Sequence, residues 1–251
     1  MKRPAVLFLS ILVLASFILS ACGQARPSET VRVVLDAPWP PFEMTDEQTK
    51  EVTGLDIDLM KAIAEKAGFE VEFINISFDS ALAGLAQCQY DASISAITID
   101  EDRKKQMLFS DPYFTAGQMV TVNTGNSDIT GVESLVGKKV GAQIGTTGAI
   151  EAENIEGVIY SGYDSIDLAF LDVMNGQIDA VIADNTLAIG YIDQNPDKLK
   201  AAGDVFTGED YGIAVCKEKP ELLEQINEAL ADLKAEGYID ELSEKWLTSA
   251  E

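Results

Sequence analysis

Four short stretches of this sequence place groups with binding chemistry directly after apolar, β-branched runs. The first is Asp36-Ala37-Pro38-Trp39-Pro40-Pro41-Phe42, where three prolines stiffen a loop that holds one carboxylate and two aromatics. Those aromatics either fill a rigid packing corner or offer an apolar surface to a ligand, and Trp39 lies nearer the preceding run. The second, Ile97-Thr98-Ile99-Asp100-Glu101-Asp102-Arg103, sets one arginine among three acids. Facing water, that arginine makes a helix-start ion pair worth under about 1 kcal/mol. Turned inward, its planar fork takes a carboxylate bidentately beside the Thr98 hydroxyl. In the third, Gly145-Thr146-Thr147-Gly148, free N–H groups at a helix start and close backbone approach suit an anion. It lacks the lysine and glycine spacing of a nucleotide P-loop, so a carboxylate fits better than a triphosphate. The fourth, Ala183-Asp184-Asn185, ends a run with a carboxylate that either caps a helix or meets a cation. Together they supply donors for an anion, a carboxylate for a cation and aromatics for an apolar body, which is the inventory for a zwitterion.

These groups need elements that bring their ends together. Residues 31–36 read as a strand and 56–67 as a helix, with Ile57, Met60, Ile63, Ala64 and Ala67 at helical spacing and Gly68 as its stop. A strand over 71–76, a helix over 80–87 and a strand over 92–97 complete a βαβαβ unit with parallel strands. The pattern restarts with strand 139–144, a helix start at 147–153, strand 158–160, helix 165–175 and strand 179–183. A late strand at 211–215 precedes two amphipathic helices, 221–236 and 239–247, separated by Gly237. The expected class is α/β in two lobes, each a mainly parallel sheet flanked by helices. In such sheets ligands bind beyond the carboxyl ends of the strands, where the four stretches lie.

Composition narrows the function. Among 251 residues, 18 are basic and 42 acidic, the net charge is −24, and there is no histidine. So acidic a chain repels phosphate backbones, which excludes nucleic acid as a partner. The missing histidine excludes Ser-His-Asp and Cys-His nucleophiles and imidazole-ligated metals; no metal and no cofactor is expected.

The amino terminus reads as an export signal. Met1-Lys2-Arg3 precedes an apolar run over 5–21 broken only by Ser10, Ser16 and Ser20, and Cys22 follows at once. A membrane span is the alternative, at the lower limit of what crosses a bilayer. Leu19-Ser20-Ala21-Cys22 resembles the bacterial lipobox, which implies cleavage before Cys22 and a lipid on its thiol. Cleavage removes 21 residues, Lys2 and Arg3 among them, so −24 becomes −26. Residues 23–30 then form a polar tether reaching at most about 28 Å. Cys88 and Cys216 remain, either bridged in an oxidising compartment or as two separate buried thiols.

Over residues 31–247 the chain resembles the family 3 extracellular solute-binding proteins, the amino-acid receptors of ABC importers. The carriers are Trp39-Pro40-Pro41-Phe42, Gly54-Leu55-Asp56-Ile57-Asp58-Leu59, Tyr90-Asp91-Ala92, Thr98-Ile99 with Arg103, and Phe109-Ser110-Asp111-Pro112-Tyr113. Further along they are Gly137-Lys138-Lys139-Val140-Gly141, Gly145-Thr146-Thr147-Gly148, Asp179-Ala180-Val181-Ile182-Ala183-Asp184 and Tyr211-Gly212-Ile213-Ala214-Val215. The resemblance implies the two-lobed periplasmic-binding-protein fold (type II, Venus-flytrap), with a signal peptide at 1–21 and a lipidated cysteine and tether at 22–30. Lobe 1 would occupy 31–116 and, on its return, 207–251; lobe 2 would occupy 117–206, with crossovers near 115–118 and 203–208. That places Cys88 and Cys216 in one lobe, which favours their disulfide.

By the same resemblance Arg103 and Thr147 hold a ligand α-carboxylate, while Thr98, Asp184 and the backbone at Ala96 hold its α-amino group. Trp39 and Phe78 sandwich the side chain, Asp36 meets its polar or cationic tip, and Gln143 sits where selectivity varies. The implied protein is a non-enzymatic monomer, exported and lipid-anchored on the outer face of the cell membrane. It captures an amino acid, polar or basic, and delivers it to ABC permease subunits. The alternatives are an exported dehydratase-like enzyme on the same fold, for which no paired acid and base presents itself, or a ligand-sensing module.

Overall fold

A computed structural model describes residues 29–247, so the signal segment and Cys22 lie outside the described residues. The chain opens with β1 (Thr30–Leu35), a short hairpin of β2 (Met44–Thr45) and β3 (Val52–Thr53), α1 (Leu55–Ala67), β4 (Glu70–Asn75), α2 (Phe78–Ala86) and β5 (Ala92–Ser93). It continues through α3 (Glu101–Lys104), β6 (Leu108–Phe109), β7 (Phe114–Ala116) and β8 (Gln118–Asn123). Next come β9 (Lys139–Gln143), α4 (Thr147–Asn154), β10 (Ile159–Tyr163), α5 (Ile166–Met174), β11 (Ala180–Asp184), α6 (Asn185–Gln194) and β12 (Leu199–Ala201). The chain closes with β13 (Glu209–Tyr211), β14 (Ala214–Val215), α7 (Pro220–Ala235) and α8 (Tyr238–Trp246).

Two five-stranded sheets result, in the orders β4-β1-β5-β14-β6 and β10-β9-β11-β8-β12. Each has a parallel trio extended by two antiparallel strands. In both trios the first strand of the unit lies in the middle, so successive helices leave it toward opposite sides and a crevice opens at its carboxyl end. The apolar stripe of α1 (Leu59, Met60, Ile63) shares a core with Val31, Val33 and the α7 stripe Ile226, Leu230 and Leu233. Each such aliphatic side chain contributes at most about 1.5–3 kcal/mol on burial. Gly68 ends α1 at φ 80°, where its N–H bonds to the Ala64 carbonyl.

Both connections between the sheets run through a small antiparallel ribbon, β7 against β13, with Phe114 opposite Tyr211 and Ala116 opposite Glu209. The strands crowd just beyond it: a Cβ at Gly117 would lie 2.2 Å from the Thr207 carbonyl oxygen, so only glycine passes there. The continuous strand expected over 211–215 is therefore two pieces. Tyr211 ends the ribbon, and Gly212 and Ile213, whose N–H groups bond the Ile97 carbonyl and the Ser110 hydroxyl, separate it from β14 in the first sheet. Likewise β5 stops at Ser93 instead of reaching residue 97, and Ala96, at φ 46°, holds a left-handed conformation that a strand does not accommodate. Cys88 and Cys216 form a disulfide, Cα atoms 5.1 Å apart, pinning the turn after α2 to the residue after β14.

Candidate functional site

The crevices of the two sheets face each other and are closed. Gln143 Nε2 donates to Asp36 Oδ2 at 2.5 Å, Arg103 Nη2 to the Gly145 carbonyl at 2.9 Å, and the Thr98 and Thr147 hydroxyls stand 3.5 Å apart. Between them lies a narrow cavity, about 10 Å³ of free volume in this closed form, lined by Asp36, Trp39, Phe78, Ser95, Ala96, Thr98, Arg103, Thr146, Thr147 and Asp184.

Arg103 is turned inward and is only 7% exposed. Asp100 makes this possible twice over. It caps α3 by accepting from the Asp102 and Arg103 N–H groups (2.8 and 2.9 Å), and it pairs with Arg103 Nε at 3.1 Å. Nη1 donates to the Thr98 carbonyl at 2.8 Å, and the guanidinium lies over the Phe78 ring at 5.6 Å. With Nη2 committed to Gly145, one hydrogen on each terminal nitrogen has no acceptor among the described residues, a spacing that matches a carboxylate. Burial pulls the Arg103 pKa down, opposed by Asp100, Asp184 and Glu209, and a guanidinium keeps its charge regardless.

Across the cleft, Thr146 caps α4 by accepting from the Ala149 N–H at 3.2 Å. The first N–H groups of that helix, at Thr147 and Gly148, have no partner within it and lie at its positive end, where Thr146 and Thr147 line the cavity. Gly145 enters this turn at φ 84°, a conformation that other residues adopt only at a cost.

Asp184 occupies the N-cap position of α6, but its side chain makes no cap. It accepts from Gln118 Nε2 at 2.7 Å and from the Tyr211 hydroxyl, and its carboxyl is pushed up to about 6, chiefly by burial and then by Glu209. Asp36, at the end of β1, accepts from the Phe78 N–H at 3.1 Å as well as from Gln143. Burial raises its carboxyl above the ordinary range, the Gln143 and Phe78 hydrogen bonds pulling the other way. Trp39 is buried against the cavity with Nε1 unpartnered, and Gln143, behind Asp36, has a buried Oε1 without a donor. Ala96 holds its left-handed conformation at an intrinsic cost of about 1–2 kcal/mol, secured by its N–H to Asp56 Oδ2 at 2.8 Å.

All the sequence-expected cleft residues thus meet around one cavity, Gln143 through Asp36. Cys88 and Cys216 stand apart from it, and Cys22 lies outside the described residues. Two polar residues at the centre escaped the sequence reading. Glu209 Oε2 accepts from both the Thr98 and Thr147 hydroxyls at 2.7 Å and from Gln118 Nε2 at 3.3 Å, while Gln118 is fully buried. Glu209 stands two residues before the quoted Tyr211 block, and Gln118 opens the apolar run Met119-Val120-Thr121-Val122, a legible strand signal. The site therefore sets three buried carboxylates, Asp36, Asp184 and Glu209, against one guanidinium. Among the described residues no cluster suits a metal ion.

Residues 31–249 match the model of the bacterial extracellular solute-binding proteins, family 3. The chain is 35% identical over 242 residues to the ABC transporter arginine-binding protein 1 of Escherichia coli (strain K12), covering 94% of this chain and 98% of that protein. It is 32% identical over 226 residues to the L-cystine-binding protein TcyJ of the same strain, covering 89% and 85%. Among solved structures, an ancestral arginine-binding protein bound to arginine aligns with a TM-score of 0.84 at 44% identity, covering 88% of this chain and 99% of that one.

Proposed function

The chain belongs to the bacterial extracellular solute-binding proteins, family 3, and on that premise we propose that it captures a free amino acid, arginine above others, between its lobes for an ABC permease. The observation that carries this reading is the charge balance of the closed cleft. Buried ions are tolerated only when paired and hydrogen-bonded. Arg103 with the Thr147 and Gly148 N–H groups receives the α-carboxylate, and Asp184, Thr98 and the backbone at Ala96 receive the α-ammonium. That zwitterion is neutral and leaves the excess of carboxylates uncompensated. A cationic side chain lying between Trp39 and Phe78, its tip at Asp36 and the free Gln143 Oε1, reduces the excess by one charge. Ancestral arginine-binding proteins at 44% identity are solved both with arginine and with glutamine, which supports an amino acid with a polar or cationic tip and leaves the choice of arginine to the charge of the cleft.

Each lobe supplies only part of the partners at either end of the cage, so ligand stabilises the closed form only through contacts that closure completes. The lobes divide at 31–116 with 207–251 and at 117–206, hinged on the β7–β13 ribbon. A signal peptide over 1–21 directs export and is removed, and a lipid on Cys22 then holds this non-catalytic monomer on the outer face of the cell membrane by a tether from residue 23 that ends where β1 begins at Thr30. Calorimetric titration with arginine, lysine, histidine, glutamine and cystine tests the reading. Arginine is expected to bind tightest, and the absence of any Kd below about 1 mM, roughly −4 kcal/mol, would end it.

A further inference from the structure

Behind the cleft wall lie two carboxyl groups that the binding scheme does not use. Glu43, just after the Trp39–Phe42 turn, and Asp56, in the first turn of α1, are both 0% exposed. Asp56 Oδ2 accepts from the Ala96 N–H at 2.8 Å and the Tyr113 hydroxyl at 2.9 Å. Glu43 Oε1 accepts from the Ser95 hydroxyl at 2.6 Å, and the Ser95 oxygen accepts from the Asp36 N–H at 3.1 Å. The remaining oxygens, Glu43 Oε2 and Asp56 Oδ1, face no donor, and the two side chains are in contact with each other. The groups acting on the pair are Asp36, the Ser95 hydroxyl, the Ala96 N–H and the Tyr113 phenol, with Tyr211 beyond; no cation is among them.

Two carboxylates desolvated side by side without a cation cannot both stay ionised. One proton between them satisfies both orphan oxygens at once. We infer that Glu43 and Asp56 are positioning residues of the cleft: Glu43 keeps a proton and donates it to ionised Asp56, and this pair holds Ser95 and Ala96 against the ligand. The proton resides on Glu43 because Asp56 already receives two donors and Glu43 only one. Burial and the neighbouring Asp56 charge act on Glu43 in the same direction. The pair spans the cleft wall, from the Asp36 main chain at the side-chain end to Ala96 at the ammonium end, and it secures the left-handed turn there.

This inference rests on the cleft being the amino-acid site, but its first test needs no ligand, so the two readings fail separately. Infrared spectra of the full chain labelled with ¹³C-glutamate, taken near pH 8 where Asp184 is ionised, are expected to show the carbonyl stretch of a protonated glutamic acid. Glu43→Gln removes that band. A wild-type spectrum without it, or a band that survives in Glu43→Gln, overturns the shared proton. In titrations, Glu43→Ala is expected to weaken arginine by at least about tenfold, and Glu43→Gln, which can still donate to Asp56 and accept from Ser95, to recover most of that loss. If Glu43→Ala binds as the wild type does, the positioning role is wrong. Should that variant fail to fold, Glu43→Gln binding no better than tenfold below wild type overturns the role in its place.

Discussion

Replacing Arg103 by alanine removes the one cation of the cleft. In the folded protein it makes three polar contacts, to Asp100 at 3.1 Å, the Thr98 carbonyl at 2.8 Å and the Gly145 carbonyl at 2.9 Å, and lies over the Phe78 ring. Asp100 keeps access to water, its side chain being 29% exposed, so the loss within the protein is modest. The ligand pays more: its α-carboxylate would be left in a closed cavity beside Asp184 and Glu209 with only N–H and hydroxyl donors. Truncating one partner of a buried, hydrogen-bonded charge pair costs about 2–5 kcal/mol. At 1.4 kcal/mol per decade that weakens arginine by about 30- to 4,000-fold. Arg103→Lys retains the charge but offers a point donor in place of the fork, so it should fall between the alanine variant and wild type. Calorimetry measures all three, with ligand-free melting curves recorded in parallel to establish that each variant is folded. An alanine variant folded and within about twofold of wild-type affinity would refute the placing of the ligand carboxylate on Arg103.

Three further outcomes follow from the same geometry. Asp184 has its pKa raised from 3.8 to about 6, so in the ligand-free protein this group's contribution to stability falls as pH rises through that window; a bound ammonium holds it ionised and reverses the loss. The rise in Tm on adding arginine should thus be larger near pH 7 than near pH 5, and equal shifts would separate Asp184 from the ligand. Opening the Cys88–Cys216 bridge, which spans 128 residues, by the double serine substitution should cost about 2–5 kcal/mol in urea unfolding while leaving arginine affinity unchanged, since neither cysteine lines the cavity. A loss of affinity there would show that the bridge shapes the cleft. Cys22→Ala should move the protein from the membrane fraction to the soluble one, and retention on the membrane would point to an anchor other than lipid on that thiol.

Much of this fold could be read from periodicity and punctuation. The helix over 56–67 with its Gly68 stop, and the α7 stripe from Leu222 to Leu233, follow from apolar spacing that a packed helix must satisfy. The polar strand ends were legible because parallel sheets expose that edge and nothing in a core rewards Arg103 or Asp184. The ambiguous readings were settled by tertiary contact. Asp184 sits where a cap would be, yet turns to Gln118 and Tyr211. Glu209 reaches Thr98 from 111 residues away, a pairing with no local signature. Glu43 and Asp56 were hidden for another reason: in a chain with 42 acids, a carboxylate in a helix's first turn, as at Asp56, or in a turn, as at Glu43, reads as solvated, and only burial sets these two apart.

A carboxylate-rich cleft with a single guanidinium is expected to select a cationic amino acid. The most direct measurement is a paired titration of the intact chain with arginine and with citrulline, which has nearly the same shape but a neutral tip. Hydrogen bonds to charged groups contribute about 1.5–3 kcal/mol, so arginine should bind at least about tenfold more tightly. Equal affinities, or a preference for citrulline, would contradict the account.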